Sequence, residues 1–219
     1  MERPSVRSYR IRGSRITDAQ REAKTALQAV HGIEFKQELI DLKAIFPRSE
    51  KVIMEIGFGM GEATAIIAKN HPNNGYIAVD VHPPGIGKLL ARIAENDLTN
   101  LKVIEEDVHV VLQHMVADES LDGIHLFFPD PWPKNRQHKR RMVQSEFIEM
   151  VGRKLKQGGF IHIATDWQPY ADWIKVRFDK SDSFSGGVVD RPNWRVLSKF
   201  EGQGLRKGHQ VTDFKYIKN

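Results

Sequence analysis

Two short segments of the chain carry the residue types best suited to chemistry. The first, Glu55 to Gly61, has glycines at alternate positions directly after an apolar run. Glycine is needed where the backbone turns tightly and where a ligand must approach without meeting a Cβ atom. The second, Pro129 to Lys134, reads PDPWPK and holds an acid, Asp130, in a loop stiffened by three prolines. Together they predict a ligand-binding turn and a rigid reactive loop.

The residue after the third glycine distinguishes two classes of cofactor. A dinucleotide-binding turn reads G-x-G-x-x-G and aims a helix N-terminus at a pyrophosphate, but its last glycine is replaced here by Glu62. A carboxylate at that position repels a pyrophosphate and suits S-adenosylmethionine, which has cationic amino and sulfonium groups and no phosphate. Asp80, after the next apolar run, is placed to accept hydrogen bonds from ribose hydroxyls. Asp107 follows the third run, so the acids favour S-adenosylmethionine.

Secondary-structure patterns between residues 51 and 164 predict an α/β open sheet, because short apolar runs alternate with helical periodicity. Such sheets bind ligands at the carboxyl ends of their strands. We expect Gly158-Gly159 to end a helix and Arg140-Arg141 to begin it. The predicted strands lie near 52–56, 76–79, 101–104, 124–128, 160–164 and 211–217, with one further strand near the end of the chain. The predicted helices lie near 61–70, 85–96, 108–116, 142–155 and 167–178.

Charge is distributed unevenly along the 219 residues. Residues 1–15 carry a net charge of +4, and residues 134–141 and 191–219 carry +5 each. The chain as a whole carries only +5, so the remaining residues are acidic. This segregation predicts a polyanion-binding surface on an acidic scaffold. We expect a single domain over 1–219, with a basic N-terminal arm and helix at 1–30 and substrate-binding strands at 190–219.

Several function classes are disfavoured by composition. The absence of cysteine excludes disulfides, thiolate catalysis and Cys-based metal sites. No histidine pair has the i, i+4 spacing with a nearby acid that a helical zinc site uses, so no metal is expected. No apolar run is long enough to span a membrane and no secretory leader is evident, so we expect a cytoplasmic protein. Its oligomeric state, monomer or homodimer, stays open.

Five motifs in order along the chain resemble the bacterial tRNA (guanine-N7-)-methyltransferase family. The resemblance covers nearly the whole chain. It is carried by Arg7-Ser8-Tyr9 with Arg12, Arg15, Thr17 and Gln20, by Glu55 to Gly61, by Pro129 to Lys134 with the basic run after it, by Ala164-Thr165-Asp166-Trp167 with Tyr170-Ala171, and by Arg191-Pro192, Ser198 to Glu201, Gly208-His209 and Asp213. The departures are Asp80 for a common Glu, Ser198 for Thr and Gln203 for a frequent Arg, and only the last removes a possible RNA contact.

The resemblance implies a Rossmann-like class I S-adenosylmethionine-dependent methyltransferase, with a mostly parallel seven-stranded sheet flanked by helices. Its implied partner is tRNA, and its usual target is guanine 46 of the variable loop. Implied cofactor-binding residues are Glu55, Gly57, Gly59, Gly61, Asp80, Asp107 and Asp130, and Asp130 is also the catalytic residue. Implied substrate-binding residues are Lys134, Asp166, Ser198, Lys199, Phe200 and Glu201. Implied RNA contacts are Arg136, Gln137, His138, Lys139, Arg140 and Arg141.

The chemistry of guanine supports a role for Asp130. Guanine N7 is already nucleophilic, so positioning should dominate catalysis. The product base is cationic, and a carboxylate that accepts its N1 and amino hydrogens stabilises the transition state more than the ground state. Asp166 or Glu201 could be a second acceptor, and Trp132 either stacks on the base or packs inside the loop. The alternatives are an RNA-binding protein with a non-catalytic methyltransferase-like domain, a methyltransferase for another RNA or for a protein, and a nicotinamide enzyme.

Overall fold

The computed structural model describes residues 7–9, 16–197, 201–202, 208 and 210–219. Its strands are β1 (Lys51–Ile56), β2 (Asn74–Asp80), β3 (Leu101–Glu105), β4 (Leu121–Phe127), β5 (Leu155–Thr165), β6 (Phe184–Val189) and β7 (Thr212–Lys218). Its helices include α1 (Asp18–His31), α2 (Leu42–Ile45), α3 (Glu62–Asn70), α4 (Pro83–Glu95), α5 (Val108–His114), α6 (Ser145–Lys154) and α7 (Gln168–Phe178), and a 3-10 helix spans Asn135–Arg140.

The seven strands form one sheet in the order β3-β2-β1-β4-β5-β7-β6. The strands β1 to β5 pair in parallel, and β7 is antiparallel to both β5 and β6. This arrangement confirms the predicted α/β class and the mostly parallel seven-stranded sheet. The carboxyl ends of β1 and β4 lie side by side, since Ile56 pairs with Leu126. The glycine-rich turn and the PDPWPK loop therefore start from neighbouring strands.

The two faces of the sheet differ in chemistry. One face buries aliphatic side chains such as Met54, Ile124 and Ile161 against α5, α6 and α7. The other face is apolar over β1 and β2 except at Glu55. Over β4 and β5 it carries His125 and His162, which are register partners. Because side chains alternate along a strand, this register sets a row of polar and aromatic groups on one face. That face is called the histidine face below.

Two predicted boundaries are wrong. The helix expected at 142–155 begins at Ser145, because residues 135–140 form a 3-10 helix instead. It ends before Leu155, from which the chain enters β5 directly, so Gly158 and Gly159 lie inside the strand. Gly158 has φ +74°, and the pairing of β4 with β5 shifts register nearby, so the glycines accommodate an irregularity in the strand.

Helix α4 also starts earlier than predicted, at Pro83-Pro84. Proline fits the first turn of a helix because the amide hydrogens there have no partner within the helix. A Cβ atom on Gly85 would lie 1.9 Å from the Gly59 carbonyl oxygen, and one on Gly87 would lie 2.3 Å from that of Gln20. These glycines let α4 pack closely on the glycine-rich turn and on α1. None of the helices in the described ranges is long and apolar enough to cross a lipid bilayer.

Candidate active site

The glycine-rich turn after β1 forms an open cradle. Gly57, Gly59 and Gly61 have φ values of +73°, +60° and +70°, a region that residues with a Cβ rarely adopt. A Cβ atom on Gly57 or Gly59 would meet no atom within 4 Å, whereas one on Gly61 would lie 2.8 Å from Leu89. The first two glycines thus border free space, and the third allows close packing against α4. A ligand can reach the backbone of this turn.

Asp80, at the end of β2, holds the turn in place. Its carboxylate accepts hydrogen bonds from the backbone amides of Gly59 at 2.8 Å, Val81 at 2.7 Å and His82 at 3.0 Å. Burial raises the pKa of Asp80, although these hydrogen bonds act in the opposite direction. The acid predicted to bind a ribose therefore also orients the cradle.

Glu55, the last but one residue of β1, is only 4% exposed. The Thr64 hydroxyl donates to its Oε1 at 3.0 Å, while its Oε2 is buried and has no hydrogen-bond partner in the described structure. Burial raises the pKa of Glu55 to about 7. An unpaired buried acceptor is costly, and the amino group of S-adenosylmethionine is a donor of the right charge. Together with the open cradle, this acceptor fits the predicted cofactor.

Asp107 lies at the same edge of the sheet, where it caps α5. It accepts a hydrogen bond from the backbone amide of His109 at 2.9 Å. The Tyr9 hydroxyl also bonds to it; burial, and then the charge of Asp107, raise the pKa of Tyr9. The rim thus brings together the acid after β3 and a residue of the N-terminal arm. Arg12 and Arg15 of that arm lie outside the described residues.

The loop after β4 has a strained backbone on both sides of Asp130. Phe128 and Trp132 have φ values of +52° and +45°, and neither is glycine. Such conformations cost about 1–3 kcal/mol each and concentrate at functional sites. The Phe128 amide donates to the Ala164 carbonyl of β5 at 2.8 Å. Asp130 is half-buried between these two residues, at the carboxyl edge of the sheet where it was predicted.

Trp132 packs inside the protein. It is 3% exposed, and its indole Nε1 donates to the Ser8 carbonyl at 2.8 Å. The Arg140 guanidinium lies 4.3 Å from the centre of the indole ring and donates from Nε to the Arg7 carbonyl at 3.1 Å. Of the two interpretations left open for Trp132, the structure supports packing. Arg140 and the N-terminal residues 7–9 brace it.

Arg141 is also directed inward, and its contact with RNA stays a prediction. It is 3% exposed and donates from Nε to the Pro131 carbonyl at 2.8 Å. Its guanidinium lies 4.7 Å from the ring centre of Trp173 and 5.1 Å from that of Tyr170. Arginine favours such stacked positions because its planar head is weakly hydrated. Arg141 therefore supports the loop from beneath.

The rest of the basic stretch is divided between solvent and protein. Lys134, Arg136 and Lys139 are exposed. Gln137 and His138 are half-buried, and the His138 ring packs edge-on against Trp173 at 5.3 Å. Three cations thus remain available to a polyanion at the mouth of the loop.

The end of β5 contributes an aromatic residue that the sequence interpretation did not assign to base stacking. Asp166 is half-buried directly after β5. Trp167 follows it and is 41% exposed, and its amide donates to the Thr165 hydroxyl at 3.3 Å. An exposed tryptophan beside a strand-end acid is suited to stack on a base. Its position in the ATDW motif was the available signal.

Glu201 forms an ion pair within the protein, and its role in binding substrate stays a prediction. It is 2% exposed, and both its oxygens accept hydrogen bonds from the Arg195 guanidinium at 2.8 Å. Arg195 also donates to Asp213 at 2.9 Å, and Asp213 lies 2.7 Å from His162. Although burial raises the pKa of Asp213, His162 and Arg195 bring it below its ordinary value. Ser198, Lys199 and Phe200 lie outside the described residues.

In the described ranges, no group of three histidine, aspartate or glutamate side chains is placed to hold a metal ion. At the carboxyl edge, Asp80 and Asp107 accept hydrogen bonds from backbone amides, and Glu55 accepts one from the Thr64 hydroxyl.

Solved structures with a similar architecture define the class of the fold. The 16S rRNA methyltransferase KamB matches with a TM-score of 0.61 and 13% identity over 83% of this chain and 95% of its own. A Streptococcus mutans methyltransferase in complex with SAH matches with a TM-score of 0.54 and 11% identity over 94% of this chain and 100% of its own. At these identities the similarity establishes the fold alone. The chain has the class I S-adenosylmethionine-dependent methyltransferase fold.

Sequence comparison defines the family. The family model described as "Putative methyltransferase" matches residues 49–214. A tRNA (guanine-N(7)-)-methyltransferase from Nitrosospira multiformis is 49% identical over 95% of this chain and 92% of its own length. The chain belongs to the tRNA (guanine-N7-)-methyltransferase family, as the five motifs predicted. The same membership supports S-adenosylmethionine as the cofactor.

Proposed function

We propose that this protein transfers the methyl group of S-adenosylmethionine to N7 of guanine in tRNA, and that its target is guanine 46 of the variable loop. The observation that carries the proposal is the placement of the glycine cradle and the Asp130 loop on β1 and β4, which are neighbours in the sheet. Family membership supplies the substrate class, because the relatives are named for methylation of guanine N7 in tRNA.

The proposed cofactor site uses the cradle and three acids. Gly57 and Gly59 allow backbone contact, Asp80 and Asp107 are placed for ribose and base contacts, and the unpaired Glu55 Oε2 accepts from the amino group. When bound, the cofactor supplies an electrophilic methyl group on its sulfonium. We infer that Glu55 becomes a carboxylate in this complex, because a nearby ammonium favours the charged form.

The proposed catalytic residue is Asp130. Its carboxylate accepts hydrogen bonds from N1 and the exocyclic amine of guanine, and these bonds strengthen as positive charge develops on the base. The contacts that brace Trp132 offset the backbone strain at Phe128 and Trp132, and they hold Asp130 in a fixed position. Asp166 serves as a second acceptor, and Trp167 provides the stacking surface. No base is needed, because N7 has a free lone pair.

The proposed RNA surface lies beside this loop. Lys134, Arg136 and Lys139 are exposed and bind phosphates, which contact RNA independently of sequence. Arg140 and Arg141 contribute indirectly by supporting the loop. We also propose that residues 1–219 form one methyltransferase domain, with 190–219 completing the substrate side, and that the protein acts in the cytoplasm as a monomer or homodimer.

The deciding experiment compares two tRNA transcripts that differ at one base. The protein is incubated with methyl-labelled S-adenosylmethionine and a tRNA that has guanine at position 46, or the same tRNA with adenine there. We expect label in the first only, and chain cleavage at that position after borohydride and aniline treatment. Equal labelling of the second transcript contradicts the position, and labelling without aniline cleavage contradicts N7 as the acceptor atom.

A further inference from the structure

The histidine face contains a cavity of about 340 Å³ that the proposed reaction does not use. Its lining includes Lys51 and Asn74, which begin β1 and β2, so it opens at the amino edge of these strands. The glycine cradle follows β1 at its opposite, carboxyl end. From Ile53, in the cavity wall, to Gly57 the strand extends about 13 Å. Cavities of this size bind small molecules.

Aromatic rings line much of the cavity. Phe160 lies over Gly123 of β4, where an added Cβ atom would be 2.5 Å from the ring, so the missing side chain makes room for it. The Trp194 indole stacks on the His125 ring with centroids 4.8 Å apart and an interplanar angle of 18°. Tyr76 forms part of the wall from β2. Planar heteroaromatic ligands bind to walls of this kind by stacking.

His125 provides a buried polar group in the wall of the cavity. It is 2% exposed, and its Nδ1 has no hydrogen-bond partner in the described structure. Burial, reinforced by the neighbouring His162 and His71, lowers the pKa of His125 to about 3, so the ring is neutral. A buried polar atom without a partner costs free energy that a hydrogen-bonding ligand recovers.

The rim of the cavity is predominantly cationic. Lys51 and Lys215 are exposed, and in the described ranges neither forms an ion pair with an acid. The Lys215 Nζ lies 5.4 Å from the centre of the Phe160 ring. His71 adds a further basic group, and Asp190 is the single acid of the lining. An aromatic interior below such a rim suits a ligand that combines a planar ring with an anionic group.

We propose that this cavity is a second ligand site, one that binds a nucleotide. The base stacks between Trp194 and Phe160 and hydrogen-bonds to His125 Nδ1, and the phosphate lies between Lys51 and Lys215. The nucleotide is either a free mononucleotide or an unpaired residue of a bound RNA. Both sources present the same chemistry, and the site is separate from the cofactor cradle and from Asp130.

The test uses GMP and AMP as free probes and an unmodified tRNA transcript as the second arm. Binding is measured by calorimetry at saturating S-adenosylhomocysteine, which keeps the cofactor site filled. The variants are His125→Phe, which keeps an aromatic ring but removes Nδ1, and the double variant Lys51→Ala/Lys215→Ala. Lys180→Ala, an exposed lysine after α7 on the opposite face, is the matched control. Circular dichroism and thermal unfolding verify that each variant is folded.

We expect a mononucleotide to bind the parent and the control equally and to bind each test variant about tenfold more weakly. The lysine variant loses two charge contacts, and His125→Phe loses one buried hydrogen bond. Unchanged tRNA affinity in the variants identifies a free nucleotide as the ligand. A matching loss of tRNA affinity in both variants identifies an RNA residue. Three results would overturn the proposal. They are the absence of mononucleotide binding to the parent, mononucleotide binding that both test variants retain, and a loss of tRNA affinity in the lysine variant alone.

Discussion

The two loops at the carboxyl edge of the sheet achieve rigidity by opposite means. The cofactor turn adopts positive φ at three glycines, where it costs little, and Asp80 ties it through backbone amides. The PDPWPK loop adopts positive φ at Phe128 and Trp132, where it is unfavourable. Buried contacts from Arg140, Arg141 and the N-terminal segment offset that cost. A turn that admits a ligand is built locally, whereas a loop that positions an acid depends on distant parts of the chain.

The largest effect is expected at the centre of the braced loop. Asp130→Asn keeps the size of the side chain but presents a donor where guanine needs an acceptor, so methylation should fall by roughly 10² to 10³. Affinity for S-adenosylhomocysteine should change far less. Single-turnover methylation at saturating tRNA and cofactor measures the first, and calorimetry the second. Asp182→Asn, an exposed acid, is the control, and near-parental turnover in Asp130→Asn would remove Asp130 from catalysis.

The second-largest effect is expected at the cofactor turn, where Glu55 should make the stability of the protein depend on pH. A folded-state pKa of about 7 against an ordinary value near 4.5 means that folded Glu55 holds its proton longer than unfolded Glu55. Stability should therefore fall by roughly 3 kcal/mol as pH rises from about 4.5 to 7, and stay low at higher pH. Glu55→Gln should abolish this loss. Urea unfolding at pH 5 and pH 8 tests it, with Glu62→Gln as the control; identical pH profiles for parent and Glu55→Gln would contradict the buried state of Glu55.

Glycine substitutions should separate ligand approach from packing within the same turn. Gly59→Ala places a side chain at a positive φ, so we expect about 1–2 kcal/mol of backbone strain. Its methyl group enters the open space of the cradle, so we expect a roughly tenfold weaker affinity for S-adenosylhomocysteine. Gly61→Ala carries the same strain and also collides with Leu89, so its melting temperature should be lower. Calorimetry and thermal unfolding of both variants measure these effects. Parental affinity in Gly59→Ala would show that no ligand contacts that part of the turn.

The smallest effect should distinguish the outward from the inward cations of the second loop. Arg136→Ala/Lys139→Ala should lower the slope of log tRNA affinity against log salt by about one to two, because each phosphate contact contributes roughly 0.7–0.9. Arg141→Ala should leave the slope unchanged and reduce stability, since its contacts are internal. Filter binding at several salt concentrations measures the slope. A lower slope in Arg141→Ala would place that guanidinium on the RNA.

The parts of the molecule that sequence predicted are those governed by local rules. Alternating apolar runs located the strands, and glycine spacing located the cradle, because both depend on residues close in sequence. Arg141 and Glu201 were predicted to face ligands and Trp132 was left open between base stacking and packing, and the structure buries all three. Their partners are brought to them by the tertiary fold. The Trp132 indole donates a hydrogen bond to the Ser8 carbonyl, 124 residues away, and the Arg195 guanidinium donates hydrogen bonds to both Glu201 and Asp213. Residue type alone does not indicate whether an arginine or tryptophan near a site points outward.

The position of β7 in the sheet also affects how the protein is made. β6 has a single neighbour, β7, which is inserted between it and β5 although it is translated later. At about 5–20 residues per second, the ribosome leaves β6 unpaired for roughly one to five seconds. During that interval β5 also exposes the edge that β7 will cover. The nascent chain therefore emerges with two open strand edges, which is where chaperone binding or mispairing with a neighbouring chain would act.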